Sequence, residues 1–348
     1  MDEPVTIFDI AKEADVSIAT VSRVLSGGAN VRAATREKVM RAVEKHDFKP
    51  SMVAAGLSKR TSRTLGVVLP LIDNPFYTQL CLAAQMEAQR LGYSVMLYQL
   101  ERFAPHGQRF VDMLIGKRLD GVVISGDIAS DTSYGSVAEC IAQIRRYMPV
   151  VVINPAVMEV PCPSLLCDMA GGMRMAIRHL SRLGHRRIAM IGGDGDPHAE
   201  QRHTREFAYL DEMRRLGNEK YICPFTTGQA PIDGESCVYK LFSSINETRM
   251  PTALVAFNDL VALGVIKELR RIGIMVPGNM AVIGFDNQFF SAYVDPPLTT
   301  VDLMIEDVAR QAVRLLSEDL GQERGVFQRT FEPALIVRES CGGAAESV

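Results

Sequence analysis

The chain has 348 residues, 47% of them hydrophobic and 23% charged, which is the balance of a folded globular protein of two or three units and excludes a disordered polypeptide. No apolar run reaches the ~18 residues of a membrane span, and Met1-Asp2-Glu3-Pro4 lacks the basic stretch and apolar segment of a secretory signal, so a cytoplasmic location without a membrane partner is expected. The net charge of −3 divides unevenly: residues 1–63 hold 11 basic and 8 acidic side chains and the remainder 27 and 33, a mildly basic head on an acidic body.

From Thr6, a helix N-cap, the residues Ile7, Ile10, Ala11 and Ala14 recur at helical spacing. A second short helix starts after Ser17 and buries Val21, Val24 and Leu25, leaving Asp15 and Val16 for the connection. So tight a turn calls for one residue with positive φ, which Asp tolerates better than most. A third amphipathic segment, about Thr35 to His46, supplies Val39, Ala42 and Val43 to a small core. Two helices across a tight turn, braced by a third, make a helix-turn-helix. Its second helix enters the major groove with its N-terminal residues toward the bases, placing Ile18, Ala19 and Arg23 there. Arg23 suits a bidentate contact to guanine, and the two apolar side chains suit a thymine methyl. Thr6, Ser17, Thr20 and Ser22 are positioned to donate to phosphates, and Asn30 and Thr35 complete the DNA-contacting set within the head. On these residues alone, a three-helix bundle with a small polar surface stays open.

The pattern A-x-x-A-x-V-S-x-x-T-V-S-R-V-L, carried by Ala11, Ala14, Val16, Ser17, Thr20, Val21, Ser22, Arg23, Val24 and Leu25, resembles the head of the lactose/galactose repressor family. The resemblance implies a DNA-binding regulator that recognises a pseudo-palindromic operator as a homodimer and needs no cofactor.

Lys49-Pro50 ends the third helix. The run that follows to Arg63 is short and contains Gly56, so in isolation it reads as a linker. The resemblance implies a hinge helix that forms on DNA, with Leu57 as a minor-groove wedge and Ala54 beside it. Ser51 and Ala55-Gly56 depart from the family pattern, which implies a weaker hinge.

Beyond Leu65 short apolar strands alternate with helices: strand-like runs cover 65–69, 93–98, 121–125, 150–153, 187–191, 253–257 and 280–285. Arg90-Leu91-Gly92, Arg182-Leu183-Gly184, Arg215-Leu216-Gly217 and Arg271-Ile272-Gly273 read as helix ends, a cation on the C-terminal dipole and a left-handed glycine cap. The layout from 65 repeats from 187, which predicts two similar lobes of parallel, doubly wound sheet with ligands at the carboxyl ends of strands. D-N-P-F-Y (73–77), L-D-G-V-V-I (119–124), R-x-x-A-Y (205–209), A-F-N-D-L-V-A-L-G (256–264), V-I-G-F-D (282–286) and P-P-L-T-T-V (296–301) resemble the periplasmic-binding-protein-like sensor of the same family. The fold class expected is therefore α/β: an all-α helix-turn-helix head over 1–49, a hinge over 50–63 and a two-lobed effector-binding and dimerisation domain over 64–340. The first lobe takes about 64–161 and 294–322 and the second about 162–288 and 328–340, with crossings near 160–163, 288–294 and 322–328.

A sugar calls for several hydroxyl-directed hydrogen bonds and one aromatic face. The resemblance assigns the polar set to Asn154, Arg205, Asn258 and Asp286 and the aromatic face to Phe76. Asp168 joins them, although Met169 replaces the family's usual Asn. The alternatives for Asn258 and Asp286 are helix caps, and for Arg205 a solvated charge. Family members mostly sense sugars or sugar phosphates, and a minority sense purines or nucleosides. The seven cysteines are scattered without a Cys-x-x-Cys pair, and the loop 194–203 mixes two His and three carboxylates with Gly and Pro, so no metal site is expected. An enzyme built on Asp168 and Asp286 lacks a nucleophile motif or phosphate loop. A solute-binding protein would leave the head unexplained.

Overall fold

The computed structural model describes residues 5–25, 31–48, 61–99, 107–125, 134–154, 160, 162–193, 205–318 and 325–343. Asn30, Ala54 and Leu57, most of the hinge and the loop 194–203 lie outside the described residues.

The head forms three helices: α1 (Ile7–Glu13), α2 (Ile18–Leu25) and α3 (Ala33–Lys45). Ile10, Ala11, Ala14, Val21, Val24, Val39 and Ala42 are buried together, with Leu25 and Val43 packed against them. Asp15 takes φ +51, the left-handed residue that the short connection requires, and the Val16 N–H then reaches the Ala11 carbonyl at 3.0 Å. The Asp9 carboxylate accepts from the Thr6 N–H at 2.8 Å and its hydroxyl at 2.7 Å. Ser17 Oγ accepts from the Thr20 N–H at 3.2 Å, capping α2. The third helix starts two residues before the expected Thr35, because the Arg32 carbonyl accepts from the N–H groups of Thr35 and Arg36. Glu13 pairs with Lys45 and His46 and ties α1 to the end of α3.

The body contains two six-stranded sheets among the described residues. The first is built from β1 (Thr64–Leu69), β2 (Ser94–Gln99), β3 (Gly121–Ser125), β4 (Val150–Ile153), β5 (Ser164–Cys167) and β11 (Gln328–Phe331), in the order β11-β5-β4-β3-β1-β2. All its neighbours run parallel. The second takes β6 (Ile188–Ile191), β7 (Pro224–Phe225), β8 (Ala253–Ala256), β9 (Ala281–Phe285), β10 (Thr299–Asp302) and β12 (Ala334–Ile336), in the order β12-β10-β9-β8-β6-β7. Only the β10–β12 pair in it is antiparallel. Strands β3, β4, β6, β8 and β9 are buried throughout, as a parallel sheet covered by helices on both faces requires.

The helices of the first lobe are α4 (Pro75–Arg90), α5 (Gly107–Gly116) and α6 (Tyr134–Arg145); those of the second are α7 (Met169–Arg182), α8 (Arg205–Arg215), α9 (Pro231–Ser244) and α10 (Asp259–Arg271). A further helix, α11 (Ile305–Glu318), packs on α4, β3, β4 and β5 and so belongs to the first lobe. The four helix-ending glycines Gly92, Gly184, Gly217 and Gly273 all have positive φ, as the cap requires.

The crossings between lobes differ from the sequence expectation. The chain stays in the first sheet through β5, because the Asn154 N–H donates to the Leu165 carbonyl at 2.8 Å and β5 pairs with β4. The segment from 294 does not return at once: β10 pairs with β9 in the second sheet, and only α11 goes back. The third crossing lies between β11 and β12, later than 322–328.

One buried carboxylate joins α4 to the returning helix. Glu87 accepts from Arg90 and from Arg314, each at 2.7 Å. Hydrogen bonds from Arg90 and Arg314 hold its carboxyl down to about 2, against burial. A folded-state pKa below the ordinary 4.5 means stabilisation present above 4.5 and lost as pH falls toward 2. Glu87→Gln is expected to lower stability by roughly 1–3 kcal/mol at neutral pH and to flatten the acid limb. Urea unfolding of both proteins at neutral and acid pH checks this; parallel pH profiles would acquit Glu87.

Candidate functional site

The DNA-facing candidates are arranged by α2. Its buried stripe, Val21 and Val24, faces the head core, which leaves Ser17, Ile18, Ala19, Ser22 and Arg23 on the solvent side with Thr20 half-buried. Ile18 is 40% exposed although its helix has a core to bury it in. The Ser17 and Thr20 hydroxyls lie 2.9 Å apart, and Thr6 gives its hydroxyl proton to Asp9. The Thr6 hydroxyl therefore serves the cap of α1, and a phosphate would have to compete for it. Thr35 is half-buried in the first turn of α3.

The body candidates sit where the strands end. Asn154 follows β4 directly with φ +48, is 8% exposed, and its Oδ1 accepts from the Cys167 N–H at 2.7 Å. The next residue after Cys167, Asp168, caps α7 by accepting from the Gly171 N–H at 2.7 Å. Asn154 and Asp168 are thus joined through the end of β5. Phe76, at the start of α4, is buried and packs edge-to-face on Tyr77 with centroids 5.3 Å apart.

In the second lobe three candidates converge through two rings. The Arg205 guanidinium lies 3.6 Å over the Phe257 ring and 5.4 Å from the Phe285 ring, and its Nη1 donates to the Phe257 carbonyl at 2.6 Å. Asn258 follows Phe257; it caps α10 through Oδ1 to the Val261 N–H at 2.8 Å and donates from Nδ2 to the Gln229 carbonyl. Asp286 follows Phe285 with φ +98 and is 8% exposed; its N–H donates to the Val301 carbonyl at 2.8 Å. Arg205 is held by a ring face and a carbonyl rather than solvated along a helix.

Asp259 was not among the sequence candidates. It is fully buried and accepts from the Gln288 N–H at 2.7 Å, the Ser291 hydroxyl at 2.7 Å and the Thr300 hydroxyl at 2.6 Å. Burial pushes its carboxyl up to about 6, while these donors and the charge of Arg338 pull the other way. Arg338 in turn donates to the Asn287 side chain at 2.9 Å and the Leu298 carbonyl at 2.7 Å. Its neighbour in sequence, Asn258, was visible as a cap; the partners of Asp259 lie 29–41 residues away, where local pattern has no reach.

Donors, acceptors and aromatic faces at the carboxyl ends of parallel strands are the features of a candidate small-molecule site. Among the described residues no group of three or more His, Cys, Asp or Glu side chains is placed to hold a metal, and no helix is long and apolar enough to cross a membrane.

Comparison with known proteins matches two family models to the chain. The family model for bacterial regulatory proteins of the lacI family matches residues 6–51, and that for a periplasmic binding protein-like domain matches residues 177–341. Catabolite control protein A of Priestia megaterium is 32% identical over 325 residues, covering 92% of this chain and 93% of that protein. The solved structure of the lac repressor dimer bound to operator and the anti-inducer ONPF superposes with TM-score 0.84 at 25% identity, covering 97% of this chain and 99% of that one. The transcriptional regulator CelR–cellobiose complex does so with TM-score 0.68 at 26% identity, covering 97% and 99%.

The buried carboxylate generates a test. Because the folded-state pKa of Asp259 is raised from 3.8 to about 6, its contribution to stability is fully present below 3.8 and is lost as pH rises through 6. Asp259→Asn is expected to remove that dependence. Urea midpoints of both proteins across this interval read it directly, and an unchanged slope in the variant would assign the titration to another group.

Proposed function

The chain belongs to the lacI family of bacterial regulatory proteins, and from that premise we propose that it is a cytoplasmic, sequence-specific transcriptional repressor whose operator affinity is set by a sugar or sugar phosphate bound between its lobes. The observation that carries this reading is the solvent face of α2. Ser17, Ile18, Ala19, Ser22 and Arg23 stand exposed on a head whose core is closed without them. A surface that contributes nothing to its own core, at the N-terminal end of a second helix, is what the major groove receives.

In this mechanism Arg23 reads a guanine edge, Ile18 and Ala19 make apolar contacts, and Ser17, Thr20 and Ser22 set the register on phosphates. Two heads are needed for a palindromic site, so the working unit is a homodimer. The resemblance assigns Ala54 and Leu57 to a hinge that orders on DNA. A body conformation that holds two hinges close favours the operator, and the effector shifts that population.

Asp286, Arg205, Asn258, Asn154 and Asp168 form the polar set of the effector site, with aromatic faces nearby. The cellobiose complex of a structural relative supports the sugar class. A purine or nucleoside is the second reading, since the family resemblance implies a minority of members that sense them.

A thermal-shift screen against sugars, sugar phosphates, nucleosides and purines separates the two. Ligand at ~100 times its Kd adds about 2.7 kcal/mol of stability. A sugar that raises the midpoint and releases operator is the expected result, and a purine or nucleoside hit alone would replace it. Arg23→Ala should cost about 1–3 kcal/mol on its preferred site and relax preference at one base pair, which a comparison of operator variants by fluorescence anisotropy would show. Asp286→Ala should abolish the response of the operator complex to the effector; a normal response would remove Asp286 from the site.

A further inference from the structure

Gln288 lies two residues beyond Asp286 and is 2% exposed. Its backbone is pinned, since its N–H donates to Asp259, which also holds Ser291. Its side-chain amide reaches out of the second lobe and donates from Nε2 to Gln79 Oε1, at 3.2 Å, on α4 of the first lobe. Gln79 stands one helical turn after Phe76, on the same face of α4. The amide pair thus joins the two lobes, one partner a helical turn from Phe76 and the other two residues from Asp286. Gln288 Oε1 is buried and has no hydrogen-bond partner among the described residues.

An unsatisfied amide atom held in place by two other contacts is costly to keep, and it has to be offset by a partner in the working state. A neutral hydroxyl is the partner that fits in either orientation of the amide, donating to Oε1 or, with the amide turned over, accepting from Nε2. Resting on the effector reading above, we propose that Gln288 is an effector-contacting residue. Its amide, bridged to Gln79, takes one hydroxyl of a bound sugar and makes that contact only where the lobes meet. Gln288 thereby selects among sugars by the presence of that hydroxyl.

The test titrates wild type, Gln288→Met and Asp286→Ala calorimetrically with D-glucose, D-galactose, D-ribose, cellobiose, adenosine and adenine, then with monodeoxy forms of the sugar that binds. Gln288→Met keeps the volume and removes the amide. It should weaken the parent sugar on the order of 10-fold, yet bind one deoxy form as well as wild type does. Gln288→Asn, which keeps the amide but withdraws it, should give the same single-hydroxyl pattern and serves if the Met variant melts early. Parent-sugar affinity equal in Gln288→Met and wild type overturns the inference. So does a uniform loss across every deoxy form, which makes Gln288 a spacer between lobes. If Asp286→Ala also binds like wild type, the cleft reading itself has failed. Binding of adenosine or adenine alone, or of no probe, removes the sugar reading and this inference with it.

Discussion

The carboxylate of Asp259 organises the side of the body on which function depends. A buried acid is expensive unless donors surround it, and here a backbone N–H and two hydroxyls do so, all from the connection that leaves β9 and from β10. That connection carries Asp286 and Gln288, and β10 is the last strand before the chain returns to the first lobe as α11. One acid at the first turn of α10 therefore fixes the connection that carries these candidate residues and the route of the crossing together. Burial outweighs the hydrogen bonding and raises its pKa to about 6.

The candidate residues show that a structural role and a ligand role are not exclusive. Asn258 caps α10 with its oxygen and donates its nitrogen to the Gln229 carbonyl. Asp168 caps α7 with one carboxylate oxygen. Arg205 is oriented by a carbonyl and a ring face. Each of these contacts removes rotamer freedom before a ligand arrives, and ordering costs are a large part of what limits affinity. A cap of about 1 kcal/mol is small beside the gain from presenting a hydrogen-bonding group already fixed.

How much of this was legible in the sequence follows from range. In the head the signals are local: a cap at Thr6, a helical stripe, an Asp where positive φ is needed, and a second cap at Ser17. Asp15 at φ +51 is the outcome that such reasoning anticipates. The glycine after each Arg-Leu or Arg-Ile pair was legible for the same reason. The strands β5, β7, β10, β11 and β12 were missed; they are two to four residues long and, unlike the equally short β4, β6 and β8, none is buried throughout. The crossings between lobes were misplaced because they are decided by pairing across the sheet: β10 belongs to the second lobe through its register with β9. The partnership of Asp259 with Ser291 and Thr300, and of Gln288 with Gln79, lies beyond any local pattern.

A repressor of this design needs contacts between lobes that bias an equilibrium without locking it. Coupling between effector and DNA sites is typically 1–3 kcal/mol, and a ligand shifts a population only by its differential affinity for the two states. A neutral amide–amide hydrogen bond contributes about 0.5–1.5 kcal/mol net, so the Gln79–Gln288 bridge has the right size. A buried ion pair across the same gap would cost several kcal/mol to break and would hold the lobes whether or not a sugar was present. With an amide bridge one hydroxyl more or less is comparable to the bridge itself, which is what the proposed selection by a sugar hydroxyl requires.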